Sequence, residues 1–502
     1  MKCTRPWIAL SLLAPFAPLL IGQAAAGSNA ANSENDQRYR QIGERLDSLT
    51  TELEQTRGEL STAVEEIRRL RVELEKARTG EAPEPSAEKD VAKLTEDVAR
   101  IREDQDAIQE QVKVHDQEKV ETVSRYHLSV NGLILFNSFA NRGAVDDPDL
   151  PDIALPFYNQ TANNVIGANV RQTILGLNAI GPHLFGARST GDLEMDFFSY
   201  GNATTYPAGS GIARIHTAHF ALEWPHDRIE LGLTEPLISP RSPTSYASVA
   251  EPSFLWAGNL SEWAPQLRFE HRFQLNESNH LGIEAGLWDA AYGGSNLQAL
   301  QTIPSYNESE KWPAIETRVS WTTGSQSLFH LGLGGYRGAL KTGDGTTIPS
   351  WAVSTDFALQ MKSKLSLSGE LYRGLALAGL GGGSYKDFLS GTDPSTGEDR
   401  NIGLDAVGGW TQLKLSWSPT VEFNAAVGED SGYGSDFRTL VLAAASNPVS
   451  TLARNQMIMG NVILRPKTYL ILSPEYRRIL SGQMAGESYV ANVYTLSAGY
   501  RF

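Results

Sequence analysis

The chain has 502 residues, of which 41% are hydrophobic, and a formal net charge of −15 at neutral pH. This acidic balance argues against nucleic acid as a partner, because a phosphate backbone attracts basic surfaces. The single cysteine, Cys3, lies near the N-terminus. A mature chain without that segment therefore has no disulfide, thiolate metal site or cysteine nucleophile. No later segment has the roughly 18 consecutive apolar residues that a membrane-spanning helix needs.

The N-terminus has the three parts of a secretory signal peptide. Lys2 and Arg5 are basic, residues 7–21 are almost wholly apolar, and residues 24–26 are alanines that offer a cleavage site. The apolar run is too short to span a bilayer comfortably, which disfavours an uncleaved anchor. We therefore expect residues 1–26 to be removed and the mature protein to be secreted.

Two heptad patterns follow the expected cleavage site. Apolar residues alternate at steps of three and four across residues 46–77 and again across residues 91–115. This spacing is typical of coiled coils, and the proline-containing segment 81–90 between the two patterns cannot continue a helix. Gln105 at a core position is either a residue that fixes register or a polar residue tolerated in a weak coil. We expect a coiled coil over residues 27–120, in two segments joined by a hinge.

Beyond the heptads the hydrophobic period changes to two, the period of a β-strand. In the last segment Tyr494, Leu496, Tyr500 and Phe502 share one face, and mostly small or polar residues share the other. Residues 351–361 repeat this alternation. An outer-membrane barrel turns its apolar face to lipid, whereas a soluble sandwich turns it inward, so alternation alone does not separate the two. The secretion signal and the final phenylalanine favour the barrel, since this ending resembles the signal that the barrel-assembly machinery recognises.

The alternation predicts sixteen antiparallel strands. They fall near residues 126–138, 169–180, 187–200, 213–224, 228–234, 265–274, 280–289, 314–322, 328–338, 351–361, 364–373, 406–418, 421–428, 456–465, 468–477 and 491–502. Tight connections follow the even-numbered strands and long Gly- and Asp-rich loops follow the odd-numbered ones, as in transmembrane barrels. The expected fold is therefore an all-β transmembrane barrel over residues 121–502, preceded by an α-helical coiled coil. This parity places both ends of the barrel, and the coil, in the periplasm.

The third long loop, residues 235–264, is expected to fold into the barrel and narrow its pore. The candidate residues for lining this constriction are Arg228, Arg241, Glu251, Arg268, Glu270, Arg272, Glu316 and Arg318. A field between basic wall residues and an acidic loop orients anionic or dipolar solutes. The alternative is that these charges pair with other lumen charges and have no selective role.

The sequence offers no catalytic or metal-binding motif. Neither G-x-S-x-G nor H-E-x-x-H occurs, and the isolated histidines show no metal-ligand spacing. His216 and His219 are expected on opposite faces of a strand, where they could not bind one metal ion together. We therefore expect no enzyme activity, no metal and no cofactor.

Three segments carry a resemblance to a known family: VRQTILGLNAIGP at 170–182, GDLEMDFF at 191–198 and RIELGLTEPLISP at 228–240. Together with the order of signal peptide, coil and barrel, they resemble the DcaP-like outer-membrane porins. The chain departs from the family pattern at Ile174, where members commonly carry a basic residue. The resemblance implies a homotrimer in the bacterial outer membrane that passes small hydrophilic solutes, including anions such as dicarboxylates.

Other functions stay open at this point. Phosphate-selective porins also carry an N-terminal coil, but they use lysine-rich lumens, and few lysines are expected in this one. A structural tether would bind the cell wall through the coil and use the barrel only as an anchor in outer-membrane lipid. A channel coupled to an energising partner would need a plug domain, which the coil does not resemble.

Overall fold

The computed structural model describes residues 127–157, 164–198, 211–289, 306–324, 329–442 and 451–502. The expected signal peptide and both coiled-coil segments lie outside these described residues. Among the described residues, no helix has the length and hydropathy needed to cross a membrane.

Sixteen long antiparallel strands form one closed sheet, and each corresponds to a strand predicted from the sequence. They are β1 His127–Arg142, β2 Ile174–Leu184, β3 Ala187–Asp196, β4 Arg214–Glu223, β5 Asp227–Thr234, β6 Ala264–Asn276, β7 Asn279–Trp288, β8 Ala314–Thr323, β9 Phe329–Lys341, β10 Thr347–Lys362, β11 Leu365–Leu375, β12 Asp405–Ser418, β13 Val421–Gly432, β14 Leu452–Lys467, β15 Leu470–Gln483 and β16 Ser488–Arg501. The barrel closes because β1 pairs with both β16 and β2. A short strand, Ile166–Asn169, continues the pairing of β1 beyond β2.

The two faces of the barrel differ as the alternation predicts. On β16, Tyr494, Leu496, Ala498 and Tyr500 are exposed, and Thr495, Ser497 and Gly499 between them are buried. On β8, exposed Ile315 and Val319 alternate in the same way with inward-facing polar residues. Exposed apolar side chains over the whole outer wall fit a lipid environment, since lipid does not penalise them as water does.

Tight turns follow the even-numbered strands, and the loops at the other end follow the odd-numbered strands. These loops are L1 (143–173), L2 (197–213), L3 (235–263), L4 (289–313), L5 (342–346), L6 (376–404), L7 (433–451) and L8 (484–487). L5 and L8 are short, which corrects the expectation that every loop at this end is long. In L5 the carboxylate of Asp344 accepts the N–H of Thr346 at 3.1 Å, and Gly345 has φ 87°, so a tight turn suffices.

Several loops carry short elements of their own. These are the strands Ala144–Val145 and Ala154–Leu155 in L1, Phe388–Thr392 and Asp399–Gly403 in L6 and Val441–Leu442 in L7, the helix Tyr306–Glu310 in L4, and the 3₁₀ turns Ala378–Leu380, Gly383–Tyr385 and Asp436–Arg438. The strands of L6 and L7 form one small sheet.

The apolar core of the molecule lies inside the barrel. Leu237, Ile238, Phe254 and Leu260 of L3 are fully buried. Phe254 belongs to one apolar cluster with the wall residue Trp410. Ile238 and Leu260 belong to a second cluster with the inward-facing wall residues Tyr336, Ala352 and Tyr372. A glycine on the wall permits this contact, because a Cβ at Gly334 would lie 3.0 Å from the Cα of Ile238. L3 is thus a folded lining of the lumen.

Candidate functional site: the lumen and its third loop

Carboxylates of the wall hold L3 in place. Glu316 of β8 accepts the backbone N–H of Leu237 at 2.7 Å. Further along the loop, the hydroxyl of Ser239 donates to Glu370 of β11 at 2.5 Å. Near the loop's middle, Ser245 donates to Glu475 of β15 at 2.6 Å. L3 is therefore attached to strands distributed around much of the barrel.

Amide side chains satisfy much of the L3 backbone. Gln172, just before β2, accepts the N–H of Val249 at 2.8 Å and donates to the carbonyl of Ala247 at 3.1 Å. Asn461 of β14 donates to the carbonyl of Thr244 at 2.8 Å. Buried backbone groups without partners are costly, so these wall side chains take the place of a secondary-structure ladder.

A cavity of about 250 Å³ is formed by residues of L3. Its lining includes Glu235, Arg241, Glu251, Trp263 and several serines of the loop. The side chain of Arg241 is 34% exposed and lies 3.3 Å from Asp356 of β10. This cavity brings acidic, basic, hydroxyl and aromatic groups together, which suits contact with small hydrophilic molecules.

Arg228 of β5 and Arg268 of β6 are paired with carboxylates. Arg268 lies 2.7 Å from Glu270 and 3.6 Å from Glu230, and its side chain is only 11% exposed. Arg228 also pairs with Glu230, and it lies 3.8 Å from Glu223. Their positive charges are therefore compensated locally, which fits the alternative in which lumen charges neutralise one another.

Arg318 of β8 is held more tightly still. Its guanidinium lies 2.9 Å from Asp356 and 2.6 Å from Glu284, and the side chain is 5% exposed. His330 lies 3.2 Å from the same aspartate. The glycine at position 332 gives the guanidinium room, because a Cβ there would meet it at 2.6 Å. Arg318 is a structural cross-link between strands.

Arg272 differs from the other wall arginines that the sequence singled out. Its side chain is 71% exposed, and its distance to Glu270 is 3.7 Å. An ion pair this long and this exposed contributes little free energy. The charge of Arg272 can therefore interact with a solute in the lumen. Glu316, by contrast, is buried beneath L3 and contacts the loop.

Two arginines that sequence reasoning did not single out contribute to the lumen. Arg171 binds Asp149 of L1 with contacts of 2.5 to 3.0 Å. Arg214 of β4 lies 2.8 Å from Asp196, and both guanidiniums lie over the ring of Phe198, at 4.4 and 5.7 Å from its centre. A signal was present, because Arg171, Asp196 and Phe198 all fall in the segments that carry the family resemblance.

The expectation that His216 and His219 face opposite sides of a strand is wrong. The register between β3 and β4 shifts at His216, and this bulge lets both rings reach inward-facing carboxylates. His216 lies 2.9 Å from Asp196, and His219 lies 3.8 Å from Glu230. Among the described residues, no group of three or more metal-ligating side chains is arranged to hold a metal ion.

Two carboxyl groups of L3, those of Glu251 and Glu262, have raised pKa values. Burial and the nearby Glu262 raise the pKa of Glu251 to about 8. Burial raises the pKa of Glu262 to about 7, against the opposing effect of Arg214. The charge of this loop therefore changes within the neutral pH range.

The last strand presents the residues proposed as an assembly signal on the outer wall. Tyr494, Leu496, Tyr500 and Phe502 are 44 to 47% exposed. The backbone of Phe502 exchanges two hydrogen bonds with Gly132 of β1, at 3.0 and 3.1 Å. The chain end thus closes the barrel, and its role in assembly stays a prediction.

A closed sixteen-stranded antiparallel barrel with an apolar exterior, a charged interior and a loop folded into its lumen has the architecture of an outer-membrane porin. The fold is similar to that of the outer membrane channel DcaP of Acinetobacter baumannii, with 15% sequence identity, a TM-score of 0.56, and coverage of 76% of this chain and 99% of that chain. The DcaP-like barrel expected from the sequence is therefore confirmed at the level of the fold.

Two further solved structures resemble the barrel more distantly. The anion-selective porin from Comamonas acidovorans is 10% identical, with a TM-score of 0.45 and coverage of 75% of this chain and 100% of that chain. OprB of Pseudomonas putida is 11% identical, with a TM-score of 0.46 and coverage of 75% of this chain and 94% of that chain. No family model matches the sequence. No curated protein matches it either.

Proposed function

We propose that the protein is an outer-membrane porin through which small hydrophilic solutes diffuse without energy input. The observation that carries the proposal is the charged interior of a closed barrel whose outer wall is apolar, together with the cavity that L3 forms with Arg241 and Glu251 in its lining. A polar passage within an apolar wall is what a hydrophilic solute needs to cross lipid.

The size of the solute follows from the packing of L3. The loop fills part of the lumen with buried apolar residues such as Phe254 and Leu260. A loop attached to Glu316, Glu370 and Glu475 does not move aside freely. We therefore propose that the channel passes molecules of monosaccharide or amino-acid size and excludes larger ones.

The lumen charges favour cationic and neutral solutes over anions. Arg228, Arg268 and Arg318 are compensated by carboxylates. On β3, Asp192 and Glu194 point into the lumen, and no basic side chain lies within 4.0 Å of either among the described residues. Acidic groups without basic partners attract cations to a narrow passage.

The anionic cargo that the resemblance implies, such as dicarboxylates, is the second candidate. The exposure of Arg272 favours it, together with the partial exposure of Arg241 beside the cavity. A basic group that keeps its charge can attract an anion within a partly desolvated pore. Reversal potentials in a salt gradient separate the two candidates by their sign.

The wider assembly is also a proposal. We place the barrel in outer-membrane lipid, inserted by the barrel-assembly machinery and assembled as a homotrimer with the coil in the periplasm. The resemblance to DcaP-like porins supports the trimer, and native mass spectrometry of the detergent-extracted protein tests it. Binding of the coil to cell wall, as in a tether, would show as pull-down by purified peptidoglycan.

Swelling of proteoliposomes tests the transport function. Liposomes that contain the protein should swell in arabinose and glucose and more slowly in a trisaccharide such as raffinose, because L3 narrows the lumen. Liposomes with a heat-denatured sample are the control. Swelling equal to that control for every sugar would overturn the porin proposal.

A further inference from the structure

Two arginines that lie on either side of one strand, Arg142 and Arg478, interrupt the apolar outer wall near the loop end of the barrel. Arg142 of β1 pairs in register with Asn492 of β16, and Asn492 pairs with Arg478 of β15. Arg142 and Arg478 are exposed and alternate with buried neighbours, so both point outward. Directly opposite residues of neighbouring strands lie about 5 Å apart, so the three side chains form one row across three strands.

The charges of this row have no protein counterpart in the described part of the chain. Within it, no carboxylate lies within 4.0 Å of either guanidinium, and the hydroxyl of Tyr476 donates to Asn492 at 2.8 Å. An arginine on the lipid face costs about 2–4 kcal/mol at the bilayer midplane and about 0–1 kcal/mol near an interface. The row therefore marks the level of the lipid headgroups on the loop side.

An apolar groove begins on the membrane side of this row. It has a volume of about 870 Å³ and runs over the outer faces of strands β12 to β16 and β1. The groove forms because small residues, Ala140, Ala425 and Gly460, occupy positions where the rest of the outer wall has large side chains. Tyr476 and Tyr494, with ring centres 5.3 Å apart, lie between groove and row. Aromatic pairs of this kind are typical of the membrane interface.

We propose that row and groove together bind one phosphorylated lipid of the outer leaflet. The phosphate binds between Arg142 and Arg478, because guanidinium groups match phosphate oxygens in charge and geometry. An acyl chain of the same molecule lies in the groove below. The inference goes beyond solute transport, and it rests on the proposed function only for the placement of the barrel in the outer membrane.

A charge-neutralised variant tests this site. The full-length protein in detergent is titrated with a tetra-acylated, bis-phosphorylated glucosamine disaccharide lipid, and bound lipid is counted by native mass spectrometry. Changing Arg142→Gln together with Arg478→Gln should weaken binding at least about tenfold, since two charge-assisted contacts are lost. The control for loss of charge is Arg337→Gln with Arg373→Gln, two outward-facing arginines of β9 and β11 away from the groove, of which Arg373 lies 3.7 Å from Asp405.

The phosphate groups of the lipid are tested separately. The same lipid without phosphates should bind the unaltered protein as weakly as the phosphorylated lipid binds the double variant. Equal weakening by the two double variants, or equal affinity for both lipids, would overturn the site. So would a double variant that keeps lipid binding but loses its oligomer, because the row would then be a contact between copies. Single-channel conductance of the double variant should match the unaltered protein, which shows that the barrel is folded.

Discussion

The backbone N–H of Leu237 donates a hydrogen bond to Oε2 of Glu316 at 2.7 Å, which attaches the start of L3 to strand β8 inside the barrel. Both residues are buried, at 0% and 1% exposure. A buried carboxylate that accepts a backbone N–H is a strong attachment, because either group alone would be left without a partner. The position of L3, and with it the width of the passage, depends on this kind of contact.

Removing this attachment should widen the channel. Changing Glu316→Ala removes a buried acceptor and leaves the N–H of Leu237 without a partner, at a cost of about 1–3 kcal/mol. L3 should then leave the wall part of the time, and single-channel recordings should show larger and noisier conductance. Glu316→Gln keeps an acceptor and is the control. Identical conductance in the two variants would contradict the attachment.

Arg268 and Arg272 should behave differently when each is changed. Arg272→Ala should shift the reversal potential further toward cations and leave stability unchanged, because this side chain is 71% exposed. Arg268→Ala should lower the stability of the barrel by about 1–3 kcal/mol, since it removes the buried partner that Glu270 has at 2.7 Å and one of the two arginines beside Glu230. Selectivity is measured in a salt gradient, and stability by urea unfolding followed by gel mobility. A selectivity change in Arg268→Ala equal to that in Arg272→Ala, without loss of stability, would contradict the pairing.

Selectivity should depend on pH through L3. Burial holds the pKa of Glu251 near 8 and that of Glu262 near 7, so both carboxyls gain protons as the pH falls through this range. Because these pKa values are raised, the folded loop retains protons that the unfolded chain releases. The folded loop is therefore favoured at acid pH, and this stabilisation is lost as the pH rises through 7 to 8. Cation preference should decrease from about pH 8.5 to about pH 5.5 as negative charge is lost.

The double variant Glu251→Gln with Glu262→Gln isolates this effect. Other carboxyls nearby also titrate, among them Asp146, whose pKa burial raises to about 6. A residual pH dependence is therefore expected, but most of the change in reversal potential should disappear. An undiminished pH response in the double variant would assign the effect to those other groups.

Assembly should depend on the final residue. Phe502 lies on the outer wall and its backbone closes the barrel against Gly132. Deleting Phe502 should lower the amount of heat-modifiable barrel in outer-membrane fractions, and Phe502→Tyr, which keeps the aromatic ring, is the control. Normal levels of the deletion variant would show that the last residue is not part of an assembly signal.

Strand positions could be predicted from the sequence because each strand has one face in contact with lipid. The alternation of Tyr494, Leu496 and Tyr500 with small or polar residues follows directly from that environment. The bulge at His216 could not be predicted, because a single unpaired residue leaves no mark in the composition. The short L5 was not predicted, although Asp344 and Gly345, which form its tight turn, were a signal in the sequence.

The candidate site was predictable in its residues but not in its pairings. The sequence indicates that Arg268 and Glu270 share a face, but the approach of Arg268 to Glu230 depends on the register between β5 and β6. Apolar residues within L3, such as Ile238 and Phe254, were the available signal that the loop packs against the wall. Gln172 binds three residues of L3, a role that only the folded chain reveals.

We propose above all that the folded chain is an open, water-filled channel through a bilayer. Single-channel recording of the purified protein in a planar lipid bilayer tests it most directly. We expect discrete conductance steps at all applied voltages, and in a salt gradient a reversal potential whose sign indicates cation preference. A membrane that contains inserted, heat-modifiable protein and yet shows no current steps would contradict it.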